Sequence, residues 1–430
     1  MHIFESELYL QLRNCVLVPA VLAQPTNGSC MIVLPKHTVL ILSTLCTIAM
    51  CTVETYSQEY VDQRYNVRTH NGIVYGTATR FDGISDTLRM NIIVPTNDNA
   101  VKRPLVVWIH GGGFIQGNRS DFQTLAETWA KRGYAAVTIS YRLGIHGGLF
   151  DPPFAYDEAE LIRACFRGIQ DVRTGLRYLV KNATQYGIDT SRIVVGGGSA
   201  GAIVALHASY IDKLDKLPAS IGKISNVTRA SGTFERPDMG SYDGTLYPDV
   251  QTPRVDVVLN IFGALLDLSY LDNAPFIPLF SYHQSNDPVV ACGVNRPYSG
   301  VPLVSANYPY MSGTCAITQE LQKRGTPESI FETTIYQGGA HEVHDPAGID
   351  KAAAVFAAKF ITATTSIVNE HDPRHEPCTS FVAYSLDACR SLQATTIDQL
   401  RSMPNGVYIL MCHTTRSVVL VHEQMIYPVR

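Results

Sequence analysis

Ser199 lies in the pentapeptide Gly197-Gly198-Ser199-Ala200-Gly201, a pattern that can expose a nucleophilic hydroxyl. The pentapeptide follows the β-branched run Arg192–Val195 and leads into the helix-like segment Ala202–Ile211. Small neighbours let the chain turn sharply from strand to helix, so we expect the Ser199 Oγ to stand exposed at the turn. The new helix would direct free N–H groups and the positive end of its dipole at a bound group. Ser199 is therefore the candidate nucleophile.

A second glycine-rich motif, His110-Gly111-Gly112-Gly113-Phe114, follows the apolar strand-like run Pro104–Ile109. Successive glycines let consecutive backbone N–H groups point into one cavity. Together with the N–H of Ala200, those of Gly112 and Gly113 would form an oxyanion hole. The alternative is a glycine-rich turn without chemistry. Two such motifs, each after a strand, favour the oxyanion hole.

These two motifs resemble the α/β-hydrolase superfamily, and within it the HGGG-type carboxylesterases and lipases grouped with hormone-sensitive lipase. The resemblance extends from about Tyr65 to Thr365 and implies a serine ester hydrolase. Less specific segments also fit the family pattern: Ala135–Ser140, Tyr141-Arg142-Leu143, Asp171-Val172-Arg173 and Tyr186-Gly187-Ile188-Asp189.

The resemblance implies the chain order serine, then acid, then histidine. Asp287 follows the strand-like run Phe276–His283 and is the candidate acid, although an Asp-Pro step is also a common turn. His341 follows the strand-like run Ile330–Tyr336 and two glycines, and it is the candidate base. His344, three residues further along the same loop, is the alternative base.

Other aspartates and histidines fit these roles less well. Asp256 lies within a strand-like run, Asp267 lies beyond that run, and Asp272 precedes a strand and would lie at the wrong end of the sheet. We expect His110 to brace the glycine loop rather than transfer protons. We expect His146 to lie in a surface loop.

Strand-like runs alternate with helical stretches along the chain. Helices are predicted over Asp121–Arg132, Asp157–Lys181, Ala202–Ile211 and Ile349–Ile361. This alternation predicts an α/β fold, with a doubly wound, mostly parallel sheet covered by helices on both faces. A chain of 430 residues, 46% of them apolar, is long enough for one large core with accessories.

Composition and motif content exclude several classes of function. A formal net charge of −4 gives no electrostatic footprint for nucleic acid. The glycines Gly196-Gly197-Gly198 lack the lysine of a phosphate-binding loop, and no His/Cys cluster has zinc spacing. The sequence therefore indicates no metal, no cofactor and no nucleic-acid partner.

Residues 1–57 have the character of a targeting region. The apolar stretch Thr38–Cys51, preceded by Lys36, is short for a membrane span and suits the hydrophobic segment of a signal peptide. Cleavage is expected after Ser57, and Met31 would be a natural start that makes residues 1–30 an upstream extension. The alternatives are a lipid anchor at Cys51 and a buried N-terminal element.

Export would permit disulfide bonds. Cys292 and Cys315 flank a segment rich in Pro, Tyr, Ser and Gly that follows Asp287. A bridge between them would make the acid loop more rigid, whereas two buried thiols are the equal alternative.

The C-terminal region has a different character. A polar, proline-containing linker over residues 369–377 separates residues 58–368, the predicted hydrolase domain, from residues 378–430. Three strand-like runs then predict a small β unit: Ser380–Leu386, Gly406–Leu410 and Ser417–Val421. This unit resembles the C-terminal sorting domains of the bacterial type IX secretion system. The alternative is an accessory hairpin that packs on the hydrolase.

The sequence thus predicts a secreted or cell-surface serine carboxylic-ester hydrolase. Its candidate site comprises Ser199, Asp287 and His341, with the N–H groups of Gly112, Gly113 and Ala200 as the oxyanion hole. The expected partners are a small-molecule or glycan-linked ester and, through the tail, secretion machinery. The alternatives are a serine peptidase of the same fold and a non-catalytic adhesion module. The complete set of triad candidates argues against the adhesion module.

Overall fold

The computed structural model describes residues 59–98, 100–147, 154–212, 217–229, 232–272 and 276–362, together with five strands between residues 381 and 428. The predicted signal-peptide region 1–57 and the predicted linker 369–377 lie outside the described residues. Within the described ranges, no helix combines the length and the apolar character needed to cross a bilayer.

The structure describes thirteen strands between residues 59 and 362. Between residues 59 and 362 the strands are β1 (Asn66–Thr79), β2 (Ser85–Thr96), β3 (Arg103–Ile109), β4 (Ala135–Ile139), β5 (Ile188–Gly198), β6 (Ile224–Arg229), β7 (Gly232–Arg236), β8 (Val257–Ile261), β9 (Ala264–Leu265), β10 (Leu279–Gln284), β11 (Val294–Asn295), β12 (Met311–Gly313) and β13 (Phe331–Tyr336).

The helices alternate with these strands. They are α1 (Gln123–Lys131), α2 (Glu158–Lys181), α3 (Ala183–Tyr186), α4 (Ala200–Tyr210), α5 (Pro302–Ser305), α6 (Thr314–Lys323) and α7 (Pro346–Ile361). The four predicted helices are confirmed as α1, α2, α4 and α7, with bounds that differ by a few residues. Helix α2 begins where the Asp157 side chain accepts the N–H of Glu160 (3.2 Å), as an N-cap does.

Eight strands form one sheet in the order β1-β2-β4-β3-β5-β8-β10-β13. The pairs β1–β2 and β2–β4 are antiparallel, and every later pair in this order is parallel. This is the order of the α/β-hydrolase fold, so the predicted fold class is confirmed. Because parallel strands end at a common edge, β5, β10 and β13 deliver their following loops to one place.

Helices bury both faces of this sheet. Val106 and Val107 are neighbours on β3 and point to opposite faces, as successive residues of a strand do. Val107 packs in one buried cluster with Phe166 of α2, whereas Val106 packs in the other with Trp129 of α1 and Phe356 of α7. The two clusters hold the sheet between two helical layers, which fixes the strand ends that carry the candidate site.

The C-terminal strands form a separate antiparallel sheet. They are β14 (Phe381–Ser385), β15 (Ser391–Ala394), β16 (Gly406–Cys412), β17 (Thr415–His422) and β18 (Met425–Pro428), in the order β15-β14-β16-β17-β18. The three predicted strand-like runs correspond to β14, β16 and β17, which confirms the β unit. The structure adds β15 and β18 at the two edges.

The prediction that His146 lies in a surface loop is wrong. His146 is buried, its ring centroid is 5.0 Å from that of Phe81 and 4.9 Å from that of Phe234, and its N–H donates to Glu160 Oε2 (2.9 Å). These partners come from distant parts of the chain. The residues next to His146 in the sequence therefore could not predict its burial.

Candidate active site

Ser199 stands at a sharp turn between β5 and α4. Strand β5 ends at Gly198, helix α4 begins at Ala200, and Ser199 itself has φ +56° and ψ −125°. Such a backbone costs a non-glycine residue on the order of 1–3 kcal/mol. Buried elements on both sides hold it, and the Ser199 N–H donates to the Ile261 carbonyl of β8 (2.9 Å). The turn presents Ser199 to a cavity, as predicted.

The glycines on either side of the turn are required by close backbone approaches. A β-carbon on Gly197 would lie 2.4 Å from backbone atoms of Gly201, and a β-carbon on Gly201 would lie 2.1 Å from the Ile109 carbonyl oxygen. Real Cβ contacts essentially never fall below 3.0 Å. The missing side chains therefore let the start of α4 sit directly against the end of β3, where the second motif begins.

The loop after β3 adopts the backbone that its glycines allow. Gly112 and Gly113 have φ of +102° and +62°, and the Gly112 carbonyl accepts the N–H groups of Ile115 and Gln116 (3.1 Å each). Within the described ranges, the N–H groups of Gly112 and Gly113 donate to no protein acceptor. The N–H of Ala200, at the first position of a helix, has no intrahelical acceptor. All three residues line the cavity beside Ser199, an arrangement suited to an oxyanion.

His110 braces this loop, as predicted. The ring is completely buried, its Nδ1 lies 2.8 Å from the Gly111 carbonyl oxygen, and it stacks on Tyr141 with centroids 4.5 Å apart. The Tyr141 hydroxyl donates in turn to the His110 carbonyl (3.1 Å). Burial lowers the pKa of His110 below its usual value. The ring therefore acts as a neutral support for the glycines.

The side chains of Ser199, His341 and Asp287 form one hydrogen-bonded row. His341 Nε2 lies 2.7 Å from Ser199 Oγ, and His341 Nδ1 lies 2.6 Å from Asp287 Oδ2. An ionised carboxylate only accepts, so Nδ1 carries the ring proton and Nε2 faces the serine with its lone pair. The three residues follow β5, β13 and β10, whose ends share an edge. Chemically, this row can withdraw a proton from the serine hydroxyl.

The Asp287 carboxylate is enclosed by donors. Oδ1 accepts the N–H groups of Val289 (2.8 Å) and Val290 (3.0 Å), while Oδ2 faces His341 and lies 3.4 Å from His283 Nε2. Burial alone would raise the pKa of Asp287. The contacts with His283, His341 and the Val289 N–H outweigh burial and lower this pKa to about 2. Asp287 is therefore ionised throughout the neutral range.

Two further residues, neither of them predicted from the sequence, position His341. The Gln284 amide holds the loop on either side of the ring, because Oε1 accepts the Ala340 N–H (2.9 Å) and Nε2 donates to the Glu342 carbonyl (2.9 Å). Phe262 packs against the imidazole with ring centroids 4.6 Å apart. A polar residue at the end of a buried strand was the one available signal for Gln284. Phe262 had none.

The alternative residues lie elsewhere. His344 is exposed, stacks on Tyr336 with centroids 3.8 Å apart, and its Nδ1 lies 3.0 Å from the Tyr282 hydroxyl. Asp256 precedes β8 and accepts an N–H of β5 at the opposite edge of the sheet. Asp267 accepts the Ser269 N–H, and Asp272 pairs with Arg324. None of these side chains contacts Ser199 or His341 in the described part of the structure.

Cys292 and Cys315 form a disulfide rather than two buried thiols. The bridge closes a segment that lies between the acid loop and α6, and this segment supplies Tyr298 and Tyr308 to the site cavity. Cys165, by contrast, is a buried free thiol on α2.

The cavity beside Ser199 has a volume of about 490 Å³. Its walls are mainly apolar and include Phe114, Ile115, Phe122, Leu161, Ile203, Phe262, Val289, Val290, Pro297, Tyr298 and Tyr308. In the described residues, no three His, Cys, Asp or Glu side chains are grouped so that they could hold a metal ion. The floor of the cavity carries Ser199, His341 and the glycine N–H groups.

Two family models match the chain. The model of the carboxylesterase family matches residues 55–217, which include the glycine loop and Ser199. A model named BD-FAE matches residues 162–274. Neither range reaches Asp287 or His341, so the two models concern the nucleophile half of the site.

The relatives include esterases and lipases. Lipase 1 of Yarrowia lipolytica is 32% identical over 206 residues, which are 44% of this chain and 41% of that protein. Gut esterase 1 of Caenorhabditis briggsae is 32% identical over 136 residues, or 30% and 22% of the two chains. Fumonisin B1 esterase of Sphingopyxis macrogoltabida is 30% identical over 117 residues, or 27% and 22%. The matched part spans less than half the length of these relatives.

Solved structures similar to this chain are also esterases by their descriptions. Esterase B from Lactobacillus rhamnosis, inhibited by a tributyrin phosphonate, aligns with a TM-score of 0.41 and 14% identity over 76% of this chain and 96% of that one. A truncated carbohydrate esterase from gut microbiota aligns with a TM-score of 0.42 and 17% identity over 70% and 98%. In sequence, the chain is thus similar to carboxylesterases and lipases over the region that carries Ser199.

Proposed function

We propose that this chain is a serine carboxylic-ester hydrolase in which Ser199 is the nucleophile, His341 the general base and Asp287 the orienting acid. The observation that carries the proposal is the hydrogen-bonded row from Asp287 through His341 to Ser199 Oγ, set at a strained turn. The carboxylesterase-family match and the esterase and lipase relatives favour esters as the substrate class.

In the first half of the proposed reaction, Ser199 Oγ attacks the ester carbonyl carbon while its proton passes to His341 Nε2. The carbonyl oxygen becomes an oxyanion that accepts hydrogen bonds from the N–H groups of Gly112, Gly113 and Ala200. Asp287 stabilises the protonated imidazole and holds it in the required tautomer. Collapse of the intermediate breaks the ester C–O bond, and His341 gives its proton to the departing alcohol.

In the second half, a water molecule attacks the acyl-enzyme while His341 Nε2 takes a proton from it. The same N–H groups hold the second oxyanion. Its collapse breaks the bond to Ser199 Oγ, to which the proton returns, and the carboxylic acid leaves. No cofactor enters this sequence of steps.

We infer that the substrate is a small-molecule or glycan-linked ester with an apolar group near its carbonyl. The support is the cavity of about 490 Å³, whose walls are mainly apolar and aromatic. A screen of p-nitrophenyl esters of graded chain length, acetylated and feruloylated glycans and aminoacyl amides separates the alternatives. Faster turnover of amides than of every ester would favour a peptidase instead.

The decisive variant is Ser199→Ala. We expect it to abolish ester hydrolysis and covalent labelling by a fluorophosphonate, because no other side chain in the row can form the acyl-enzyme. Circular dichroism and thermal unfolding test whether the variant stays folded. Ser209→Ala, on the same helix α4, is the matched control and should keep both properties. Labelling that persists in Ser199→Ala would show that another residue is the nucleophile and would contradict the proposed mechanism.

We also propose that the chain is exported, with residues 1–57 as the targeting region and residues 378–430 as a sorting domain. The apolar stretch Thr38–Cys51 supports the first part. The Cys292–Cys315 disulfide favours an oxidising compartment. The resemblance of the C-terminal β unit to type IX sorting domains supports the second part.

A further inference from the structure

A buried row of polar side chains leads from Asn260 through Thr314 and His283 to Asp287. His283 is completely buried on β10, and its Nε2 lies 2.8 Å from the Val290 carbonyl oxygen and 3.4 Å from Asp287 Oδ2. Its Nδ1 lies 2.9 Å from Thr314 Oγ1, which accepts a hydrogen bond from Asn260 Nδ2 (3.0 Å). The proposed reaction uses none of His283, Thr314 and Asn260.

The direction of every hydrogen bond in this row is fixed from its two ends. The Gly263 N–H donates to Asn260 Oδ1 (2.9 Å), which turns the Asn260 amide nitrogen toward Thr314. Thr314 Oγ1 accepts that bond, and its proton points at His283 Nδ1, which accepts when the ring proton is on Nε2. The Val290 carbonyl can only accept, so His283 Nε2 carries the ring proton. The row therefore delivers one N–H, in one orientation, to the acid loop.

That N–H acts on Asp287 in two ways. It holds the carbonyl of Val290, whose own N–H donates to Asp287 Oδ1 (3.0 Å), so it fixes the turn that grips the carboxylate. It also lies 3.4 Å from Oδ2, the oxygen that contacts His341. Burial of Asp287 alone would raise the pKa of this carboxyl, and the contact with His283 opposes that rise. A donor at this point thus favours the charged, correctly turned acid.

We propose that His283 is a positioning residue for the acid of the triad, held in one ring orientation by Thr314 and Asn260. It acts on Ser199 only through Asp287 and His341. This inference rests on the proposed esterase function. A histidine that merely filled the core would affect folding stability, whereas a positioning residue also sets the geometry of the Asp287–His341 hydrogen bond.

The test compares His283→Gln with His283→Asn. A glutamine Nε2 is as many bonds from the backbone as the imidazole Nε2 and can replace the donor to Val290, whereas the asparagine side chain ends one bond short. We expect His283→Asn to lower kcat for p-nitrophenyl butyrate on the order of ten- to a hundredfold, with KM unchanged, because the donor that holds the Val290 carbonyl and faces the charged Asp287 is lost. His283→Gln should recover most of kcat.

A spectroscopic readout separates positioning from packing. The proton shared by His341 and Asp287 should give a strongly deshielded line in the ¹H NMR spectrum of the full chain. The line should shift in His283→Asn and stay near its original position in His283→Gln. Thr314→Val, which keeps the shape of the side chain and removes the hydroxyl, should produce a smaller shift and a smaller fall in kcat. Thr314→Val also tests the inference if the His283 variants do not fold.

His207→Gln is the matched control. His207 is also completely buried, and both ring nitrogens are engaged, with Ile203 O at 2.7 Å and Leu266 N at 3.1 Å, but the ring does not contact the triad. This variant should lose thermal stability and keep kcat and the deshielded line. The same pattern in His283→Asn, or equal kcat in the Asn and Gln variants, would overturn the inference.

The proposed function is checked separately. Fluorophosphonate labelling of the unmodified chain and its loss in Ser199→Ala do not depend on His283. If the unmodified chain is labelled and active but His283→Asn matches it in kcat and in the deshielded line, the positioning role alone fails. If the unmodified chain is neither labelled nor active, the esterase function fails, and the inference fails with it.

Discussion

At the scale of single residues, two histidines three positions apart have different surroundings. His341 contacts Ser199 and Asp287, whereas His344 stacks on Tyr336 and contacts the Tyr282 hydroxyl. We expect His341→Ala to lower kcat by several orders of magnitude, as loss of a triad member generally does. His344→Ala should have a far smaller effect. Steady-state kinetics of both variants checks this, and the reverse order of effects would reassign the base.

Another residue-scale prediction concerns pH. Burial lowers the pKa of His207 to about 4, whereas the pKa of a histidine in an unfolded chain is about 6.5. Between these values the unfolded chain binds a proton that the folded His207 does not. The free energy of unfolding should therefore fall as pH decreases across this window, and level off for this group below it.

His207→Gln removes that contribution. Urea unfolding across the same pH range should give a smaller decrease in the free energy of unfolding for the variant than for the unmodified chain. Buried His110 and His146, whose pKa values are also lowered, remain in both proteins and cancel in the comparison. Identical pH dependence in the two proteins would contradict the assignment.

At the scale of elements, the contact between β3 and α4 depends on a missing side chain. A β-carbon at Gly201 would lie 2.1 Å from the Ile109 carbonyl oxygen, at the junction of the two glycine motifs. We expect Gly201→Ala to lower the free energy of unfolding by at least about 2 kcal/mol, since backbone atoms must move apart. The shift should also separate Ala200 from Gly112 and reduce kcat.

Gly300→Ala is the control for this substitution, because no atom lies within 4 Å of a β-carbon built there. It should leave stability and kcat close to those of the unmodified chain. Urea unfolding and steady-state kinetics measure both quantities. A Gly201→Ala protein as stable and active as Gly300→Ala would show that the junction is more adaptable than its distances imply.

The same scale explains what the sequence could and could not predict. Local pattern predicts the helices, the glycine turns and the three strands that precede the triad residues Ser199, Asp287 and His341. Periodicity and turn residues act over a few positions, so they can be seen in the sequence. His283 looked like part of an apolar strand, and Gln284 like a polar residue at the end of that strand. Gln284 contacts Ala340 and Glu342, and His283 is oriented by Thr314. Local pattern does not report partners so far along the chain.

At the scale of the whole molecule, the C-terminal sheet has its own strand pairing. Ile409 is paired with Val418 and Val407 with Leu420, so the backbone groups of β16 and β17 satisfy one another. If residues 378–430 are a sorting domain, deletion from about Pro377 onward should leave an active enzyme with an unchanged melting temperature. In a host with type IX secretion, that enzyme should remain in the periplasm.

Cell fractionation and activity with melting temperature form the paired measurement for this prediction. An accessory hairpin would instead cover apolar hydrolase surface, and its loss would lower the melting temperature or cause aggregation. A truncated enzyme that melts much earlier and is still exported normally would contradict the sorting role.

The Cys292–Cys315 bridge has a consequence for how such an enzyme diversifies. The bridge fixes two Cα atoms 5.0 Å apart, and the segment between them, which includes β11, α5 and β12, supplies Tyr298 and Tyr308 to the cavity wall. Insertions and exchanges within a loop whose ends are tied need not displace the anchoring elements. We expect exchanges within this segment to change the cavity wall, and with it the ester preference of the proposed hydrolase, while Asp287 lies outside the bridge.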